Sequence, residues 1–230
     1  MGVVYLITHG QASFPDNVDA RLSAGGVEQA AVVGAELLRR TLPLSSARSG
    51  TQARQVKTAE IVLDWLGHAA LVEYDPRWNE YDHTEILRLH GDDAPQRDLD
   101  PRACPEILDA ALTEWVAAGA AGPCAETWPA FVARVEGALR DVVSLLEMEE
   151  SAIVFTSGGV ISTLAGLVLG TPEAGLLKLN PVIVNCGITR LESTRNGVTL
   201  LSFNEHAHLE GRASRLLSHR AHRQLPRTTA

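Results

Sequence analysis

Val3-Val4-Tyr5-Leu6-Ile7-Thr8-His9-Gly10-Gln11-Ala12-Ser13-Phe14 is the stretch on which the fold is decided. The apolar run Val3 to Ile7 has the length and composition of a short buried strand, and it leads straight into a histidine followed by a glycine. In open α/β sheets, ligands gather outside the carboxyl ends of the strands, so His9 and Gly10 stand where chemistry is done. A neutral imidazole is a good nucleophile toward phosphorus near neutral pH. A glycine beside it lets backbone N–H groups approach an anion closely.

Outward from this strand, the pattern alternates. Ser23 can cap a helix running to about Thr41, with Val27, Ala30, Gly34, Leu37 and Leu38 as its apolar stripe. A weak strand follows from Leu44 to Ser49. A second helix is expected from about Thr51 to Leu66, with Val56, Ala59, Val62 and Leu66 on one face and Gly67 as its stop. Ala70 to Tyr74 reads as a short strand. The longest helix is expected from Thr127 to about Met148, with Trp128, Phe131, Val135, Leu139, Val142 and Leu146 inward. Ala152 to Thr156 is a further buried strand, ending at Ser157-Gly158-Gly159 before a helix from Val160 to Leu169. Pro181 to Glu192 and Val198 to Phe203 read as closing strands about an Asn196-Gly197 turn. Strand and helix in alternation imply an α/β three-layer sandwich, with a mainly parallel central sheet flanked by helices. Residues 1–210 are expected to form a single domain, in which the polar, Gly- and Pro-rich segment of about 85–126 is a lid or insertion. Residues 211–230 form a basic C-terminal tail.

A chain of 230 residues, 45% of them hydrophobic, can bury a full core. The net charge is −8, although Arg212, Arg215, Arg220, Arg223 and Arg227 crowd into the tail without an acid. The remainder is therefore strongly acidic, which argues against nucleic acid as a partner. The longest apolar stretch, about Ala152 to Gly170, is interrupted by Thr156, Ser157, Gly158, Gly159, Ser162 and Thr163, so no membrane span is expected. The beginning of the chain lacks the basic and apolar regions of a signal peptide, and a cytoplasmic location is expected. Cys104, Cys124 and Cys186 are odd in number and widely spaced, as unpaired thiols in a reducing compartment would be.

Four segments beyond the first carry recognisable chemistry. They are Leu22-Ser23 with Gly26 and Gln29-Ala30; Ser49-Gly50-Thr51-Gln52-Ala53-Arg54 with Thr58-Ala59; Trp78-Asn79-Glu80-Tyr81-Asp82-His83; and Asn204-Glu205-His206-Ala207-His208-Leu209. Together with Thr8-His9-Gly10, and in this order, they resemble the signatures of the histidine phosphatase superfamily, which includes the phosphoglycerate mutases. The resemblance implies a phosphoglycerate mutase-like fold and a two-step phosphoryl transfer in which His9 forms a phosphohistidine. It implies Arg54 as the fork that grips two phosphate oxygens and Glu80 as general acid and base. Asp82 and Glu85 share that loop and are alternatives. Gly10, Gln11, Ser13 and Gly158 are expected around the anion. His206 and His208 are expected in the phosphate pocket or in loop packing, because no third metal ligand is placed by sequence. No metal and no cofactor are implied.

Two positions depart from the superfamily pattern. Thr8 stands where its first arginine belongs, and Ser157 stands where Ser-His-Gly-Gly would supply a second histidine. Thr8 offers one neutral hydrogen bond. Loss of a charge-assisted contact of about 1.5 to 3 kcal/mol slows transfer by roughly 10- to 150-fold. The expected function is a metal-independent phosphomonoester hydrolase, weak or substrate-restricted, acting on a small phosphorylated or anionic metabolite; a homodimer is compatible with the sequence. Alternatives are a repurposed enzyme using His9 and Glu80 for acid–base chemistry, and a pseudophosphatase that only binds.

Overall fold

The computed structural model describes residues 2–13, 20–90, 105–195 and 197–210. Phe14, Cys104, Asn196, most of the Gly91 to Pro105 stretch and the basic tail lie outside the described residues.

Six strands form one sheet: β1 Gly2–Thr8, β2 Leu44–Ser49, β3 Val72–Tyr74, β4 Ser151–Thr156, β5 Ile188–Thr194 and β6 Gly197–Glu205. Their order is β3-β2-β4-β1-β5-β6. The pairs β2 with β3, β2 with β4 and β1 with β4 are parallel, and β5 and β6 add an antiparallel edge beside β1. Side chains alternate across a strand, so β1 feeds two cores. Tyr5 and Ile7 pack with Ala30, Val33 and Leu37 of helix α1 (Ala24–Arg40) and Ala59, Val62 and Leu63 of α2 (Ala53–Leu66). Val4 and Leu6 pack on the other face, in a core shared with α3 (His83–His90), α4 (Pro105–Ala118), α5 (Trp128–Leu145) and α6 (Gly158–Val168). This is the expected three-layer α/β architecture.

Local signals set several boundaries. The Ser23 hydroxyl accepts from the Gly26 N–H at 3.0 Å and caps α1. Gly67 ends α2 in the left-handed conformation, at φ +71°. On α1, however, Val27 and Leu38 are 43% and 50% exposed, while Gly26, Gln29 and Val33 are buried. The helix is rotated because Gly26 rests on the turn after β1: a Cβ there would overlap the Gln11 carbonyl, and a Cβ at Gly10 would strike the Gly26 carbonyl. Helix α2 begins at Ala53 rather than Thr51, since Gln52 has extended backbone. The strand expected from Ala70 begins as a 3₁₀ turn at Ala69–Leu71. The strand expected from Pro181 starts only at Ile188, after a 3₁₀ turn at Asn180–Val182. Pro181 cannot donate to a ladder, and Cys186 at φ +57° turns its N–H to the Thr8 carbonyl, 3.0 Å away.

Candidate active site

His9 is the first residue beyond β1, and its N–H donates to the Thr156 carbonyl of the neighbouring strand at 2.9 Å. Its ring Nδ1 lies 2.8 Å from the Gly10 carbonyl. A carbonyl only accepts, so Nδ1 carries the proton and Nε2 keeps its lone pair. Into that lone pair Arg54 Nε donates, at 3.1 Å. The guanidinium is buried in the first turn of α2, and a second nitrogen donates to Gln52 Oε1 at 2.8 Å. Thr58, one turn further on, donates to the Arg54 carbonyl at 2.7 Å and accepts from the Gly10 N–H at 3.0 Å. One helical turn thereby ties the cation to the histidine loop. Asn185 Nδ2 fixes the other side, donating to the His9 carbonyl at 3.0 Å.

Glu80 reaches the same place from the loop between β3 and α3. It is 6% exposed, with Oε2 accepting from the Gly159 N–H at 2.9 Å and Oε1 from its neighbour Tyr81 at 3.3 Å. A side chain at Gly159 would overlap Glu80 Oε1, so the close approach requires glycine there. Tyr81 anchors the loop from behind, its ring 5.5 Å from Trp115 and 5.7 Å from Phe131. The other two carboxylates of the loop are engaged elsewhere. Asp82 accepts from the Thr84 and Glu85 N–H groups at the start of α3, and Glu85 accepts from the Ala125 N–H at 3.2 Å.

Ser157 precedes α6 and is fully buried, yet its hydroxyl does not cap the helix. Instead it accepts from Gln55 Nε2 at 2.8 Å. Gln55 also donates to the Trp78 carbonyl at 3.2 Å and accepts from the Gln52 N–H at 3.3 Å. This one buried amide joins α2, the Glu80 loop and the start of α6. Gln55 and Asn185 were not marked by the sequence reading, and Gln52 and Thr58 entered it only within a quoted motif, without a role of their own. Gln55 follows the recognised Arg54, and that adjacency was the available signal.

The remaining candidates are distributed around this centre. Thr8, 4% exposed, closes β1, and Gly158 opens α6. Gln11 accepts from the Ser23 hydroxyl at 3.3 Å, and Ser13 donates to the Arg21 carbonyl at 3.0 Å, so both secure the entrance to α1. His206 Nδ1 lies 2.6 Å from the Asn204 carbonyl, and His208 Nε2 lies 3.0 Å from the Cys186 carbonyl. Neither ring bonds to His9 or Arg54. Burial lowers the pKa of His208 below its ordinary value, and burial raises that of the Cys186 thiol. Among the described residues, no three His, Cys, Asp or Glu side chains are grouped as a metal would need, and no helix is long and apolar enough to cross a membrane. A separate cavity of about 490 Å³ between β3 and α5 is lined by Arg48, Tyr74, Arg77 and Asp141. Its arginines already pair with Glu73, Asp75 and Asp141, and His9 is not part of it.

A sequence model described as histidine phosphatase superfamily (branch 1) matches residues 4–206. This chain belongs to that superfamily. Solved structures of similar fold include Bacillus stearothermophilus YhfR, at 22% identity and TM-score 0.68, covering 91% of this chain and 100% of that one. A phosphoserine phosphatase mutant from Entamoeba histolytica, in complex with phosphoserine, has 18% identity and TM-score 0.66, covering 91% and 100%. A mycobacterial glucosyl-3-phosphoglycerate phosphatase complexed with VO3 has 21% identity and TM-score 0.66, covering 89% and 99%. No curated protein matches the chain. In this histidine phosphatase superfamily member, neutral Thr8 ends β1 and neutral Ser157 directly follows β4.

Proposed function

We propose that this superfamily member is a metal-independent phosphomonoester hydrolase working through a phosphohistidine at His9. Its substrate is a small phosphorylated metabolite, and its turnover is weak or substrate-restricted. The observation that carries the reading is the 3.1 Å contact from Arg54 Nε to the His9 Nε2 lone pair, which sets a nucleophile beside a planar cation. The phosphatases of similar fold from Entamoeba and mycobacteria support it by analogy.

In the first step Arg54 turns its fork to two phosphoryl oxygens, which releases Nε2 to attack phosphorus. The bond to the ester oxygen breaks, and Glu80 in its protonated form gives that oxygen a proton. In the second step ionised Glu80 takes a proton from water, whose oxygen attacks the phosphohistidine and regenerates the imidazole. Rapid quench with an aryl phosphate should trap an acid-labile, base-stable phosphoenzyme, and exhaustive chelation should leave turnover intact. A strict requirement for an added divalent ion would overturn the metal-independent part. Neutral Thr8 supports a second reading, in which His9 and Glu80 move protons on a substrate without phosphate. Under that reading no ester yields a phosphoenzyme.

A further inference from the structure

The antiparallel edge carries a residue that leaves its ladder. Ile188 pairs with Glu205 and Arg190 with Ser202, so β6 has one residue more than β5 between these pairs. The surplus is taken up at Asn204, whose backbone turns left-handed at φ +53°. Asparagine adopts that conformation more readily than most residues. Outside the ladder, its N–H donates to the Thr189 hydroxyl at 3.0 Å. A bulge re-aims a side chain, and this one sends the Asn204 carboxamide to the loop between Val182 and Gly187.

There the carboxamide is used at both ends. Oδ1 accepts from the Val184 N–H at 3.0 Å, and Nδ2 donates to the Val182 carbonyl at 2.8 Å. A side chain at Gly187 would overlap Asn204 Oδ1, so the loop closes tightly on the amide. The same loop grips the end of β1. Asn185 Nδ2 donates to the His9 carbonyl at 3.0 Å, the Cys186 N–H donates to the Thr8 carbonyl at 3.0 Å, and the Gly187 carbonyl accepts from the Thr8 N–H at 3.2 Å. The His9 carbonyl belongs to a planar peptide unit whose Gly10 N–H donates to the Thr58 hydroxyl at 3.0 Å. That unit is held from α2 on one edge and from the 182–187 loop on the other. Because His9 Nδ1 lies 2.8 Å from the Gly10 carbonyl, the setting of this backbone governs where Nε2 stands.

We propose that Asn204 is a positioning residue for His9. Its carboxamide fixes the 182–187 loop, the loop fixes the His9–Gly10 peptide, and the peptide sets the imidazole beside Arg54. Asn204 bonds to Val182, Val184 and Thr189 and acts on the ring only through the chain they belong to. Its effect on rate rests on the phosphatase reading above; its effect on the ring does not.

The test uses the full chain and three variants, each checked for native circular dichroism. Asn204→Gly keeps the left-handed backbone without strain and removes both carboxamide bonds. Asn204→Asp is milder, since it keeps the acceptor for Val184 and loses the donor to Val182. Asn185→Ala breaks the link to the His9 carbonyl directly. With an aryl phosphate, rapid quench should show phosphoenzyme forming about ten- to a hundredfold more slowly in Asn204→Gly and Asn185→Ala, the effect of a misplaced nucleophile. Asn204→Asp should show the same defect to a smaller degree. KM should change by less than about threefold, because no binding contact is removed. The double variant Asn204→Gly with Asn185→Ala should be no more than about twofold slower than the slower single one, as both act through the same peptide. In ligand-free protein labelled at the histidine ring nitrogens, the His9 signals should move in all three variants. A lowered Tm with phosphoenzyme formation at the wild-type rate would make Asn204 a structural residue and overturn the inference. Unmoved His9 signals would overturn it as well. A wild-type protein that forms no phosphoenzyme would overturn the phosphatase reading instead, and the ring signals would then decide the positioning role alone.

Discussion

At the ends of β1 and β4 and the start of α2, Arg54 donates to the His9 ring and to Gln52, and Ser157 accepts from Gln55. Between α1 and the antiparallel edge, by contrast, ionic groups pair with one another. Arg40 joins Glu36 at 2.8 Å and Glu205 at 2.9 Å, and Glu205 also takes Arg190 at 2.8 Å. Two histidines differ as well. His9 offers Nε2 to a guanidinium, whereas half-buried His208 has its Nε2 against the Cys186 carbonyl. A charge held by neutral groups can be redirected to a ligand at small cost, while a charge held by its opposite contributes to stability and stays where it is. Among the described residues, these polar contacts thus divide into a half in the proposed reactive centre and a half that braces the fold.

The largest test of this division is His9→Ala. Removing the nucleophile should lower kcat on an aryl phosphate by at least about a thousandfold, with no phosphoenzyme on rapid quench and little change in thermal midpoint. An active His9→Ala protein would move the reactive half elsewhere. Next is Gly159→Ala, whose added methyl collides with Glu80. Overpacking should cost about 1 to 3 kcal/mol in a denaturant titration and lower kcat by at least about tenfold. Loss of stability with full activity would show that Glu80 is only structural.

The bracing half should respond in stability alone. Hydrogen bonding by Arg39, joined by Arg40, lowers the Glu36 pKa from 4.5 to about 2, so its folded form holds the proton less tightly than the unfolded chain. The stability it supplies is complete above pH 4.5 and disappears as pH falls toward about 2. Glu36→Gln should cost about 1 kcal/mol at neutral pH, roughly 2 to 4 °C in Tm, and flatten that acid window without altering kcat. The smallest effect belongs to His208. Its pKa is lowered by burial, so the unfolded chain takes the proton first and stability declines as pH drops below 6.5. His208→Gln retains a donor toward the Cys186 carbonyl and should make Tm less sensitive to pH below 6.5. An unchanged slope would show that this ring titrates as it does in the unfolded chain.

Much of this was legible from local chemistry, because local signals act within a turn or a strand. The apolar run Val3 to Ile7, the Ser23 cap, the Gly67 stop and the Arg54 to Thr58 interval each depend on residues a few positions apart. Where distant packing intervenes, local reading fails. Val27 and Leu38 have helical spacing but face solvent, because Gly26 must meet the turn after β1.

By itself, the sequence determined the alternation of strand and helix, the placing of His9 at a strand end, and membership of a superfamily through motifs in order. Only the tertiary structure decided which carboxylate of Glu80, Asp82 and Glu85 lies against Gly159, and that Gln55 holds Ser157 across 102 residues of chain. The reason is one of range. Periodicity, caps and turns follow from bonded neighbours, but a buried amide or carboxylate is directed by whichever distant donor the packed core brings within hydrogen-bonding distance.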